Sequence, residues 1–194
     1  MFNKEYWLSS AAKLKDTKYL TLMALFIALK VMAEVFFDIK IAENLFISLS
    51  FIFAAVEACI IGPVAGLVSG AVTDIVSFLL NSKGYAFFPG YTLSAMLGMF
   101  VFGIFLYRQK ITILRLFLAK FCINLFVNAL LGSVWSAMMM SKGYIYYFTQ
   151  SIIKNTILLP IEVTILVLLF NLLIPVLERK NLIIKQEPLP IKFK

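Results

Sequence analysis

Residues 44–80 read NLFISLSFIFAAVEACIIGPVAGLVSGAVTDIVSFLL. Two apolar runs meet at Gly62-Pro63, a tight connection, and each run is close to the roughly 20 residues that cross a bilayer core. Working outward, the same apolar density recurs on both sides. Six spans are predicted, at about 19–37, 44–61, 63–81, 88–107, 111–139 and 148–177. The last two exceed what a core of roughly 30 Å requires, so they are expected to tilt, bend or project beyond the lipid.

Composition agrees. The chain has 194 residues, of which 62% are apolar and 14% charged. Its mean hydropathy is +0.95. Soluble domains carry about 25% charged residues, so this chain has more apolar surface than one globular core could hide. The reading is an all-α integral membrane protein, a six-transmembrane-helix bundle forming a single membrane domain over 1–194. The net charge of +8 does not call for nucleic acid, because a basic balance in a membrane protein more often records topology. Histidine is absent, which removes the commonest general base and metal ligand. Cys59 and Cys122 lie inside apolar stretches at no paired or metal-type spacing, and are read as buried free thiols. No cofactor and no metal is expected.

Six spans place both termini on one side. That side carries Lys4, Lys13, Lys15, Lys18, Arg108, Lys110, Arg115, Arg179, Lys180, Lys185, Lys192 and Lys194, whereas the opposite loops hold Lys40, Lys83 and Lys142. The positive-inside rule makes both termini cytoplasmic. The mixed run 1–16 is expected to lie as an interfacial segment, with the bundle over 19–177. The cytoplasmic tail 178–194, with Pro188 and Pro190, is expected to be disordered at its end.

Small residues mark close helix packing. Ala24 and Ala28 form an A-x-x-x-A strip, open either to packing inside the bundle or to a partner. Gly62, Gly66 and Gly70 recur at spacing four and lead to Asp74. The glycines suit packing on a neighbouring helix, and the Asp74 carboxylate must then face the interior or a polar cavity. Other intramembrane polar groups stand out for the same reason. At about 100° per residue, Asn128 and Trp135 sit roughly 40° and 20° from Asn124, on one stripe. Asn155 and Glu162 share a face of the last span, with Lys154 beside it. The asparagines suit interhelical hydrogen bonds or a ligand. Lys30 and Glu34 could pair with each other at i,i+4, or Lys30 could meet a ligand. Glu162 has no cation three or four residues away on its own helix, which favours a functional role.

The loop Tyr85-Ala86-Phe87-Phe88-Pro89-Gly90-Tyr91-Thr92 is dense in aromatics. Such residues anchor helix ends in headgroups, or they form a stacking wall over a flat ring. Gly90 and the 38–43 loop are candidates for a gate.

On these residues the chain resembles the substrate-binding S components of energy-coupling factor (ECF) vitamin transporters, over about residues 19–178. The alanine strip and Gly62-Pro63-x-x-Gly66-x-x-x-Gly70-x-x-x-Asp74 carry the general likeness. Phe87-Phe88-Pro89-Gly90-Tyr91-Thr92-Leu93-Ser94-Ala95 and Lys154 through Glu162 look like the folate-specific branch. The likeness implies a protein that binds folate from outside and is not itself an enzyme. The chain has no G-x-x-x-x-G-K-[ST] phosphate loop. The implied partners are a transmembrane coupling subunit, docked through Ala24 and Ala28, and two ATPase subunits. The setting is the bacterial plasma membrane. The implied substrate-binding residues are Lys30, Tyr85, Phe87, Phe88, Pro89, Gly90, Tyr91, Asn124, Asn128, Trp135, Lys154, Asn155 and Glu162. Within them, Glu162, Asn155 and Asn128 would read the pterin edge and the aromatics would stack. Lys30, Lys83 and Lys154 would attract the anionic tail. The same groups suit an S component for a pyridoxine- or thiamine-type vitamin. A self-sufficient secondary transporter using Glu34, Asp74 or Glu162 as proton sites is the reading from another class.

Overall fold

The computed structural model describes residues 3–42, 45–82, 84–187 and 189–193. Helix α1 (Lys4–Ala12) starts where the Asn3 side chain accepts the Tyr6 N–H at 3.0 Å. A single 3-10 turn, Lys13–Lys15, leads to α2 (Thr17–Phe36), which is capped by Asp16. A short antiparallel hairpin follows, β1 (Ile39–Ala42) with β2 (Leu45–Ile47). Then come α3 (Ser50–Ile61), α4 (Pro63–Leu80) and α5 (Pro89–Leu106). The next span is composite: α6 (Ile113–Cys122), a π-helical stretch (Ile123–Leu131) and α7 (Gly132–Met139). Helix α8 (Tyr144–Arg179) is 36 residues long and contains Pro160 and Pro175.

Among the described residues, five helical segments are long and apolar enough to cross a membrane, and α3 is a shorter apolar helix. The second span therefore departs from its sequence reading over 44–61. Of its described residues only Ser50–Ile61 is helical, and Leu45–Ile47 pairs as a strand with Ile39–Ala42. Twelve residues rise about 18 Å, short of a core of roughly 30 Å. Periodicity cannot separate a short apolar strand from a short apolar helix, which is why the run looked continuous.

The glycine stripe does what close packing requires. A Cβ on Gly70 would stand 2.6 Å from the Ala95 carbonyl oxygen, and one on Gly66 3.3 Å from that of Met99. Helices α4 and α5 therefore touch backbone to backbone. Below them, Ala55, Ala58, Leu106, Leu116, Leu166 and Phe170 are fully buried, which joins α3, α5, α6 and α8 in one core.

The N-terminal helix is built into the bundle's end. Gly62 has φ 84°, which favours glycine, and it turns the chain between α3 and α4. The Ser10 hydroxyl donates to the Ile61 carbonyl at 2.9 Å and accepts from Val64 and Ala65 N–H at 3.0 and 3.2 Å. One side chain thus serves the end of one helix and the start of the next, where backbone groups lack intrahelical partners. The Tyr6 hydroxyl donates to the Gly103 carbonyl at 3.1 Å, and burial pushes its pKa up to about 12, so it stays a donor.

The tail corrects the expectation of disorder at its end. Lys192 and Phe193 carbonyls accept from Ile113 and Leu114 N–H at 3.0 Å each, and Ile191 N–H donates to Asn171 Oδ1 at 2.9 Å. Unpaired donors at the start of α6 give the tail a place to bind. Met1, Phe2, Pro188 and Lys194 lie outside the described residues. The cysteines are unpaired; Cys59 is buried, and Cys122 is only half-buried rather than sealed as expected.

Candidate ligand-binding cavity

A cavity of about 480 Å³ opens among α2, α4, α5, α7 and α8, beneath the segment Tyr85–Phe88. It has three kinds of wall.

The first wall is polar and lies on α8 and the composite span. Tyr147, Ser151, Asn155 and Glu162 fall on one stripe of α8. Lys120 Nζ lies 3.0 Å from Glu162 Oε1, and Asn124 Nδ2 donates to Glu162 Oε2 at 2.8 Å. Asn128 Nδ2 donates to Asn124 Oδ1 at 3.1 Å. Ser151 Oγ donates to the Asn128 carbonyl at 3.2 Å, and Asn155 Nδ2 to Ser151 Oγ at 3.0 Å. Lys120, Asn124 and Asn128 sit one turn apart, the last two inside the π-helical stretch, where the Gly132 N–H bonds the Val127 carbonyl five residues back. Single-turn π segments cluster at functional sites; this one is longer.

The second wall is aromatic. Tyr85, Phe87, Phe88 and Tyr91 line the cavity. Phe88 packs at 5.7 Å on Trp135 and at 6.1 Å on Tyr91. Trp135 stands behind, its Nε1 donating to Ser94 Oγ at 3.0 Å. Pro89 opens α5, and Gly90 lets the rings close over it, since a Cβ there would come 2.4 Å from Phe88 and 2.6 Å from Trp135.

The third wall is acidic. Asp74 lines the cavity, as its position on the glycine face requires, and accepts from Thr92 Oγ1 at 2.7 Å. Glu34 lines it too and accepts from Ser77 Oγ at 2.6 Å.

Of the residues singled out from the sequence, Tyr85, Phe87, Phe88, Tyr91, Asn128, Lys154, Asn155 and Glu162 share this cavity. Asn124, Trp135, Pro89 and Gly90 support its walls from behind. Lys30 does not reach it. Instead of pairing with Glu34, Lys30 lies 2.7 Å from Glu57 and donates to Ser69 Oγ at 2.9 Å, with Met99 between it and the cavity. Lys83, and Glu43 of the candidate gate, lie outside the described residues. Sequence reasoning missed Glu57 and Lys120. Lys120 carried a signal, being an intramembrane cation one turn before Asn124. Ala24 and Ala28 are exposed on α2, so the strip is not used in packing within the chain.

A membrane-spanning helical bundle that encloses a walled cavity with both charge signs and an aromatic face defines a substrate-binding membrane protein. A family model for the substrate-specific component of ECF transporters matches residues 18–177, and the chain belongs to that family, whose members bind substrate for a transporter and are not enzymes. The folate transporter FolT of Clostridium novyi (strain NT) is 29% identical over 153 residues, covering 79% of this chain and 88% of that protein. FolT of Leuconostoc mesenteroides subsp. mesenteroides is 27% identical over 163 residues, covering 80% and 86%. A crystal structure of FolT bound with folic acid superposes with a TM-score of 0.73 at 30% identity, covering 90% of this chain and all of that one.

Proposed function

We propose that this chain is the folate-binding S component of an ECF-type importer. The observation that carries the reading is the cavity itself: a polar Glu162-centred wall and an aromatic wall enclose about 480 Å³, within the range of roughly 300–1,000 Å³ for small-molecule sites. Its likeness to folic-acid-bound FolT supports the same ligand.

Folate joins a flat pterin, an aromatic linker and an anionic glutamate. Tyr85, Phe87, Phe88 and Tyr91 stack on the planar parts. Glu162 is oriented by Lys120 and Asn124, and each carboxylate oxygen retains a second acceptor site. It reads the donor edge of the pterin together with Asn155 and Asn128. Lys154 attracts the glutamate carboxylates, a task that Lys30 leaves to it because Glu57 holds Lys30.

Helix α3 with its preceding hairpin makes the sixth crossing, and the cationic end of the bundle, with both termini, faces the cytoplasm of a bacterial cell. ATP is hydrolysed by two partner ATPase subunits. The exposed Ala24–Ala28 strip docks on the coupling subunit, since small residues allow close helix approach.

The test is a titration of detergent-purified protein with folate, pyridoxine and thiamine. Saturable binding of folate alone is expected. Preference for either other vitamin would overturn the ligand, and accumulation of folate by liposomes holding this chain alone would overturn the dependence on a partner motor. Glu162→Gln is expected to weaken folate binding; unchanged affinity would remove Glu162 as the pterin reader.

A further inference from the structure

Nearly every hydroxyl on the cavity wall is engaged within the protein. Ser77 donates to Glu34, Ser136 to the Gly132 carbonyl and Ser151 to the Asn128 carbonyl, while Ser94 accepts from Trp135. Two are not. Ser133 Oγ and Tyr147 Oη have no partner, although both residues line the cavity and are only 1% and 3% exposed. Buried hydroxyls are ordinarily hydrogen-bonded, and each exception calls for an explanation. Ser136, on the same short helix, bonds the carbonyl four residues back; Ser133 makes no such bond. Both side chains retain an O–H to donate, and a small rotation of either side chain toward the cavity would let a bound ligand supply the acceptor.

The position of these groups says which part of a ligand they meet. Tyr147 lies in the first turn of α8 and Ser133 in the first turn of α7, whose far end leads through 140–143 into α8. Lys154 lies seven residues beyond Tyr147, within roughly 20° on the same helix face. Glu162 lies a further eight residues along, so Tyr147 and Glu162 are separated by about 22 Å of helix rise. Along one face, the order is a buried carboxylate, an amide, a cation and an unpaired phenol. Folate has the matching order of donor-edged pterin, linker, amide carbonyl and carboxylates.

We infer that the Ser133 and Tyr147 hydroxyls donate to the acyl-glutamate part of folate, its amide carbonyl or carboxylates, beside Lys154. The inference rests on the folate reading above. It makes these residues the discriminators between a glutamate-bearing ligand and the bare pterin-aromatic acid.

The experiment compares folate with pteroic acid, which lacks the glutamate, on wild-type protein, Tyr147→Phe and Ser133→Ala. Each variant is expected to lose about 5- to 30-fold in folate affinity, the range for one hydrogen bond to a carbonyl or carboxylate. Affinity for pteroic acid should not change, and neither should the melting temperature of the empty protein, because the deleted hydroxyl has no partner there. Unchanged folate affinity in both variants would overturn the inference. Equal losses for both compounds would also overturn it, by placing the hydroxyls on the pteroyl part or, if the empty protein melts lower, in a structural role. Wild-type protein that binds neither compound would instead overturn the folate reading, and this inference with it.

Discussion

The Lys30 ammonium stands 2.7 Å from the Glu57 carboxylate, with the two side chains 3% and 0% exposed. Ser69 completes the cluster, accepting from Lys30 and donating to Glu57 Oε1 at 2.5 Å. Three helices, α2, α3 and α4, are thereby joined inside the bundle through charged groups buried away from its surface. Removing one partner strands the other, whereas replacing both by apolar groups can be close to neutral. Glu57→Leu alone should therefore destabilise the protein by about 3–5 kcal/mol. The Lys30→Met/Glu57→Leu pair should recover most of that loss, a non-additivity expected for groups in contact. Thermal unfolding in detergent checks both. Additive losses would show that the pair is not coupled as its geometry requires.

At the cavity, Glu162 is shared between Lys120 at 3.0 Å and Asn124 at 2.8 Å. Lys120→Met should lower both thermal stability and folate affinity, because it leaves the carboxylate buried without its cation. Adding Glu162→Gln to that variant should restore stability while affinity stays low, since the amide needs no counter-ion but presents a weaker acceptor to the ligand. Asn128→Ala, which removes a neutral bond to Asn124 and the neutral contact with the pterin edge, should cost about 5- to 100-fold in affinity. Calorimetric titration beside melting curves separates the three.

Much of this architecture was legible in the residues, and what escaped did so for physical reasons. Long apolar runs announce spans because lipid leaves the backbone few other choices. The Gly66–Gly70 face and the Asn155–Glu162 face were readable because each lies on one helix and needs only the 3.6 period. The partners of Lys30 and Lys120 were not readable that way. Each is bound by a carboxylate from a different helix, and no spacing within one helix reveals it. The π-helical stretch at Ile123–Leu131 has ordinary apolar composition and no local mark. The hairpin before Ser50 hides in an apolar run that suits strand or helix equally. Ser133 and Tyr147 could not be singled out, since an orphaned hydroxyl is visible only when every neighbour's bonds are known.

Glycine positions on adjoining helices should respond in opposite directions. A methyl on Gly70 would meet the Ala95 backbone at 2.6 Å, whereas Gly98 has nothing within 4 Å of its would-be Cβ. Gly70→Ala should force α4 away from α5 and destabilise by about 1–3 kcal/mol. Gly98→Ala should stabilise by about 0.5–1 kcal/mol, because alanine loses less backbone freedom in a helix. Melting temperatures of the empty proteins decide it, and equal effects at both sites would contradict the backbone contact between α4 and α5.

The last expectation concerns pH. Lys13 donates to the Ile60 carbonyl at the end of α3 and lies 4.2 Å from the Tyr19 ring centroid and 4.7 Å from that of Tyr107. Burial, with Arg108 nearby, lowers its pKa to about 8 from an ordinary 10.5. Between those values the unfolded chain holds a proton that the folded chain has released, and stability rises with pH wherever the unfolded state binds more protons. The cost of burying the charged form is thus fully present below pH 8, and is relieved as pH climbs toward 10.5. A neutral amine still donates to Ile60, so the helix-end contact survives the change. Wild-type melting temperature, measured relative to Lys13→Met across pH 7 to 10, should therefore climb. A flat difference would mean that the ammonium at this helix junction is better solvated than its contacts with Ile60, Tyr19 and Tyr107 imply.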